Sequence, residues 1–290
     1  MNLHVESHGS GTQLVMIHGW GMHGGLWGSV VPQLAKNFRV HCLDLPGHGY
    51  SVLPLGANDT RAEEAGERNE HNISQSIQLR SPTNTGLQER GGEQLDIFVN
   101  ELSARFTGPL NLCGWSIGGL IAMRWAQLAP QQVQRLVVVA STPCFAERKD
   151  WLFGVPAATL RQFSVDLEQD PVAMLRRFLT LLVSGGTNER ELLADLRSRL
   201  FSHGQPDIQA LRDGLAILRD VDFRAELPGI IQPALLIAGE CDKLTPPQSS
   251  MFMAQALPNA RVVKIAGAAH VPFLSQPDLF VELITDFLHG

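Results

Sequence analysis

The stretch "LNLCGWSIGGLIAMRWAQLA", residues 110–129, opens as an apolar run and closes as an apolar helical pattern. Ser116 sits at the junction, with Gly114 two residues before it and Gly118 and Gly119 just after. The order is strand, sharp turn, helix. A serine at such a turn takes a strained backbone conformation that lifts its hydroxyl clear of the sheet edge. Side chains two residues to either side would collide with each other or with neighbouring strands, so glycine is needed there. The helix that starts after the serine aims its dipole and free N–H groups at developing negative charge. Residues 114–118 match G-x-S-x-G, the pattern of a nucleophile elbow. The flanking strand and helix supply the context that the pattern requires.

Outward from this stretch, short apolar runs recur at 14–17, 39–43, 135–140, 233–238 and 261–266. They are rich in β-branched residues and continuous rather than alternating, as expected of parallel strands buried on both faces. Helical patterns intervene at about 25–35, 94–106, 117–129, 248–257 and 277–288. The alternation predicts an α/β fold with a mostly parallel, doubly wound sheet. Two segments break the rhythm. Residues 54–92 contain no aromatic residue and few large apolar ones. They cannot bury enough surface to offset ordering entropy, so a mobile surface insertion is expected there. Residues 145–224 lack strand patterns but hold helical stretches at 171–186, 188–201 and 206–220. They read as a helical cap inserted after the sixth strand, between core segments 1–144 and 225–290.

Composition sets bounds on function. Of 290 residues, 44% are hydrophobic, enough for a large core, and the formal net charge of -6 excludes an overall basic footprint for nucleic acid. No apolar run approaches the roughly 18 residues of a membrane span. The N-terminal "MNLHVESHGSG" shows neither a basic region nor an apolar one, so no secretory signal is visible. Cys42, Cys113, Cys144 and Cys241 are scattered without metal-ligand spacing and read as small, buried thiols. A cytoplasmic monomer is expected.

A serine nucleophile needs a base and a group to orient that base. Where an elbow of this kind occurs, these follow in the order Ser, Asp or Glu, His. Asp242 stands just past the run 233–238, and His270 just past 261–266. Catalytic groups gather outside the carboxyl ends of parallel strands, and all three residues share that address. Each has a plainer reading. Asp242 could cap the turn before Pro246 and Pro247, with Glu240 as the fallback acid, and His270 could be a satisfied loop histidine. The rival bases are His18, His23, His41 and His48, of which His41 alternates within a strand pattern. "LVMIHGWG", residues 14–21, is a strand followed by a turn that fits one half of an oxyanion hole. Its donor would be the Trp20 N–H, and the second donor the Ile117 N–H. His18 would then shape the turn. Asp44, in "LDLPGHGYS" at 43–51, reads as a structural hydrogen-bond acceptor.

Together "HGWG", "LDLPGHG", "GWSIGGLIA", "VASTPCF", "GECDKLTP" and "AAHVPFLSQP" resemble the α/β-hydrolase superfamily. More narrowly, the sequence resembles the pimeloyl-[acyl-carrier protein] methyl ester esterase family of biotin synthesis. The resemblance covers most of 1–53 and 93–290, and the insertion 54–92 departs from it. It implies Ser116 as nucleophile, His270 as base and then acid, and Asp242 as orienter, with oxyanion donors from Trp20 and Ile117. It also implies that Trp20 and the cap residues Phe178, Leu179, Thr180, Leu181 and Leu182 line the acyl chain's path. The helical period agrees: Met174, Phe178, Leu181 and Leu182 share one face, with Arg176, Arg177 and Thr180 elsewhere, although a face that is simply cap core would show the same spacing. Residues 171–200 carry Arg176, Arg177, Arg190, Arg197 and Arg199 against Glu189, Glu191 and Asp195. A locally basic cap on an acidic chain suits an acidic, phosphate-bearing acyl-carrier protein, although a solvated mixed-charge helix face fits the same residues.

The expected reaction is hydrolysis of a small or carrier-bound methyl ester through an acyl-enzyme, with no metal or organic cofactor required. A broad carboxylesterase or a carbon–carbon bond hydrolase would use the same residues. A dehalogenase or epoxide hydrolase needs an aspartate nucleophile, which Ser116 argues against. A non-catalytic ligand receptor would need none of these groups.

Overall fold

The apolar runs of the sequence form a single seven-stranded sheet. The strands are β1 (Val5–His8), β2 (Gln13–Ile17), β3 (Arg39–Leu43), β4 (Leu110–Trp115), β5 (Val133–Val139), β6 (Ala234–Gly239) and β7 (Ala260–Ile265). Their order across the sheet is β1-β3-β2-β4-β5-β6-β7. β1 pairs antiparallel with β3, and every other pairing is parallel. The structure is a computed structural model and describes residues 3–53 and 84–290.

Burial follows position in the sheet. All six residues of β4 and all six of β6 are buried, whereas the edge strand β7 is half-exposed. β1 is the other edge. Its sequence, VESH, is polar and half-exposed, so it carries no apolar run by which a strand could be predicted. Chain order reverses between β2 and β4: β3 lies on one side of β2 and β4 on the other. Such a switch opens a crevice at the carboxyl ends of the strands.

Helices cover both faces. On the core they are α1 (Val30–Leu34), α2 (Asn84–Ser103), α3 (Ile117–Leu128), α8 (Pro247–Ala256), α9 (Pro272–Ser275) and α10 (Pro277–His289). Residues 54–83 of the polar insertion lie outside the described residues. Its last part, 84–92, belongs to α2, which begins ten residues before the predicted start at 94. The reason is cooperative. Leu95, Phe98, Val99 and Leu102 are buried at helical spacing and anchor the second half. Once a helix is nucleated, adding the preceding turns costs little.

Between β5 and β6 the chain forms α4 (Ala157–Gln169), α5 (Pro171–Val183), α6 (Glu189–Arg199) and α7 (Ile208–Asp220). This insertion follows the fifth strand in chain order, one earlier than expected, because β1 alone precedes the parallel set. Its two ends run side by side, with Phe223 N–H donating to the Pro143 carbonyl at 2.8 Å. α5 starts where Asp170 accepts the Ala173 N–H at 2.9 Å and Pro171 occupies the first helical position. It buries Met174, Leu175, Phe178, Leu179 and Leu182. Each such side chain contributes about 1.5–3 kcal/mol by leaving water. Among the described residues no helix is long and apolar enough to cross a membrane.

Candidate active site

Ser116 directly follows β4 with φ 58° and ψ -122°, a conformation that costs a non-glycine residue about 1–3 kcal/mol. The turn is held from beneath. Ser116 N–H donates to the Val139 carbonyl at 2.9 Å, and Ser141 Oγ donates to the Ser116 carbonyl at 2.6 Å. The flanking glycines are sterically enforced. A Cβ on Gly114 would collide with the Gly118 carbonyl, one on Gly118 with the Ile17 carbonyl, and one on Gly119 would lie 2.6 Å from the Ser141 Cβ. Backbone cannot retreat as a side chain can, so glycine is the residue that fits.

The other two members arrive from the ends of β6 and β7. His270 Nε2 lies 2.9 Å from Ser116 Oγ, and His270 Nδ1 lies 2.7 Å from Asp242 Oδ2. All three side chains are buried. The His270 backbone is clamped as well. Its carbonyl accepts from Trp115 Nε1–H at 2.8 Å, and its N–H donates to the Leu182 carbonyl at 3.0 Å. The second bond uses a carbonyl of the last turn of α5 that has no partner within its own helix.

The fallback acid does not reach this site. Glu240 is exposed, accepts the Gly267 N–H at 3.1 Å and pairs with Lys264 at 3.2 Å. The Gly267 N–H, and then Lys264, hold its carboxyl below the usual range. The rival bases are also committed elsewhere. His18 Nδ1 lies 2.7 Å from the Gly19 carbonyl, and His18 Nε2 accepts the Leu45 N–H at 2.9 Å. Burial pushes its pKa down to about 3, so a neutral imidazole braces the turn. Burial likewise brings His48 down to about 4. His41 Nδ1 meets Ser7 Oγ at 2.8 Å across β1 and β3. Asp44 accepts the Gly24 N–H at 2.6 Å and the Tyr50 N–H at 2.9 Å. His23, Asp44 and His203 bring possible ligand atoms within 4.8 Å of one another. The His23 and His203 rings stack at 4.2 Å with 28° between planes, and His23 Nε2 meets the Arg199 carbonyl at 2.9 Å.

The His18-Gly19-Trp20 turn leaves β2 beside the elbow, where Ile17 pairs with Gly114. A Cβ on Gly19 would lie 3.4 Å from the Ser116 Cβ. Among the described residues, neither Trp20 N–H nor Ile117 N–H has a hydrogen-bond acceptor. Ile117 opens α3, where an unpartnered N–H is inherent to a helix start. The Trp20 side chain reaches up into the cap. Its Nε1–H donates to the Leu211 carbonyl at 2.9 Å, and its ring meets Phe178 edge-on at 5.2 Å. Gly214 makes room for it, since a Cβ there would stand 2.5 Å from Trp20 Cδ1.

A narrow apolar cleft opens above Ser116 and His270. Trp20 and Phe178 line it, together with Phe145, Val155, Leu160, Phe163, Leu218 and Leu244. Leu179, Thr180, Leu181 and Leu182 are not among the lining residues; Leu179 and Leu182 are buried inside the cap. Leu160 and Phe163 are three apart on α4, a spacing that periodicity makes visible but that gives no sign of what the face covers. Of the five cap arginines, Arg177 pairs with Asp166 and Arg199 with Asp195. Arg176, Arg190 and Arg197 are exposed and form no ion pair among the described residues.

Comparison with known proteins agrees with this geometry. A family model described as the alpha/beta hydrolase fold matches residues 12–277. The chain is 39% identical over 281 residues to the pimeloyl-[acyl-carrier protein] methyl ester esterase of Nitrosomonas europaea, covering 97% of each. It is 35% identical to the protein of the same name from Nitrosospira multiformis, covering 99% of this chain and 98% of the relative. Among solved structures, a bromoperoxidase from Bacillus anthracis superposes with a TM-score of 0.81 at 22% identity, covering 99% of this chain and 95% of that one. An esterase from Exiguobacterium antarcticum gives 0.77 at 20%, covering 99% and 96%. These two likenesses show the fold.

Proposed function

The chain belongs to the pimeloyl-[acyl-carrier protein] methyl ester esterases, a family of the α/β-hydrolase fold, and from that premise we propose how its residues divide the work. The protein is a carboxylic ester hydrolase, and its substrate is the methyl ester of a pimeloyl chain carried by an acyl-carrier protein. His270 Nε2 takes the Ser116 proton as Oγ attacks the ester carbonyl. The oxyanion is stabilised by the free N–H groups of Trp20 and Ile117, each worth about 2.7–4 kcal/mol in the transition state. His270 then protonates the departing methoxide, giving methanol. Water repeats the sequence on the acyl-enzyme, and the free acid leaves. Asp242 stays ionised and holds Nδ1–H, so that Nε2 faces the serine.

The observation that carries this assignment is the unbroken chain of bonds from Asp242 Oδ2 to His270 to Ser116 Oγ, 2.7 and 2.9 Å long, beneath an apolar cleft. An uncharged methyl ester enters such a cleft without the desolvation cost that a carboxylate meets. That difference favours substrate over product. The thioester end stays outside, with the carrier docked on the exposed cap arginines Arg176, Arg190 and Arg197. Arg177 and Arg199 first have to release Asp166 and Asp195 to join them. A cytoplasmic monomer is part of the same proposal, in keeping with four cysteines that are all free.

The test is methanol release from a methyl-pimeloyl thioester of carrier protein by the wild type and by Ser116→Ala. The wild type should turn over and the variant should not. Equal rates on the carrier-bound ester and on a free short-chain methyl ester would point to a broad carboxylesterase.

A further inference from the structure

Asp242 has every acceptor position filled, and one partner is a side chain with no part in the chemistry above. Oδ1 accepts the N–H of Leu244 at 2.9 Å and that of Thr245 at 3.0 Å. Oδ2 accepts from His270 Nδ1 at 2.7 Å and from Thr245 Oγ1 at 2.7 Å. Thr245 is buried, at 1% exposure, and its hydroxyl also stands 3.4 Å from His270 Nδ1. We propose that Thr245 is a positioning residue for ester hydrolysis, whose hydroxyl fixes the Asp242 carboxylate and thereby the tautomer and basicity of His270. The proposal rests on the assignment of Ser116, His270 and Asp242 made above.

An ionised carboxylate only accepts, so the proton between Thr245 and Oδ2 belongs to threonine. The proton between Oδ2 and the imidazole then belongs to Nδ1, which leaves the Nε2 lone pair toward Ser116. Backbone alone cannot supply this fourth bond. The two residues after Thr245 are Pro246 and Pro247, and neither has an N–H. A side-chain hydroxyl at position 245 fills the site that a backbone donor would otherwise occupy. It also stops the carboxylate from rotating about its own axis, since each oxygen is held at two points.

The electrostatic consequence has a definite sign. A hydroxyl donating to Oδ2 draws negative charge away from the oxygen that faces the imidazolium, so it weakens the hold on the protonated ring. Among the described residues, the nearby charged groups are engaged elsewhere. The Lys243 ammonium is turned to Ser184 Oγ at 3.3 Å, and Glu240 is engaged by Lys264 and the Gly267 N–H. The remaining groups on His270 are Ser116, the Trp115 indole and the Leu182 carbonyl, all uncharged.

Thr245→Val keeps the shape and removes the hydroxyl. We expect kcat on the carrier-bound methyl ester to fall about tenfold with KM unchanged. The acid limb of the kcat profile should move to higher pH by about half a unit. Thr245→Ser should restore both. The pH dependence of fluorophosphonate labelling reads the same limb on whatever fraction folds, so poor folding of the valine variant does not obscure the result. A limb that stays in place in Thr245→Val, at any rate, overturns the proposal. Labelling that persists in Ser116→Ala would instead bring down the catalytic assignment on which it rests.

Discussion

Gly214→Ala sets two energies of opposite sign against each other. Gly214 lies inside α7, in ordinary helical backbone, so alanine gains up to about 1 kcal/mol of helix propensity. The added Cβ, however, would stand 2.5 Å from Trp20 Cδ1 and 3.0 Å from Nε1. An unstrained carbon contact is about 3.5–4.0 Å, so the indole or the helix must move by about 1 Å. Trp20 has little freedom to yield, because its Nε1–H is tied to Leu211 in the same helix and its ring meets Phe178 edge-on. Overpacking of this kind costs about 1–3 kcal/mol, which leaves a net loss of about 0–2 kcal/mol. The functional effect should be larger than the stability effect. The same residue lines the cleft and offers a proposed oxyanion N–H, and a misplacement of about 1 Å in an active site can cost about 100-fold. Urea unfolding should show a small drop in midpoint. The rate constant kcat on the carrier-bound methyl ester should fall about 10–100-fold. A variant about 1 kcal/mol more stable with full activity would refute the reasoning, since it would mean that Trp20 neither fills that space nor matters for turnover.

Three further outcomes follow from the same structure. His18 and His48 are pushed by burial to about 3 and about 4, so the unfolded chain binds their protons first as pH falls below 6.5. Stability should be full above that pH and decline toward pH 4, by about 2 kcal/mol per histidine at pH 5, and a Tm series across this range with His48→Asn as comparison checks it. Reversing Arg176, Arg190 and Arg197 to glutamate together should raise KM for the carrier-bound ester about tenfold or more and flatten its salt dependence. Rates on a short p-nitrophenyl ester should not change. Glu240→Gln should keep kcat within about twofold, because its exposed carboxylate bonds, among the described residues, to Gly267 N–H and Lys264.

Much of this architecture is legible in the amino-acid sequence. β4 and β6 announce themselves because a strand buried on both faces must be continuously apolar, and the elbow announces itself because sterics allow only glycine beside Ser116. Asp242 and His270 stand out by their addresses just past two strands. β1 was not visible, since an edge strand spelled VESH has no hydrophobic signature. The start of α2 is not legible, because its first turns depend on a buried second half and not on their own composition. The cleft lining was the hardest to read. Phe145, Val155, Leu218 and Leu244 come from four separate segments, and periodicity shows which face of an element is apolar but not which apolar faces meet. Thr245 and Gly214 acquire meaning only from partners brought near by the fold, at Asp242 and Trp20.

The central claim is that Ser116 is the nucleophile and depends on His270. Peptide mass mapping after fluorophosphonate treatment tests it directly. The account predicts one adduct, on the peptide and residue carrying Ser116, with labelling slowed at least about 1000-fold in His270→Ala. An adduct on any other residue, or full-rate labelling without the imidazole, would contradict it.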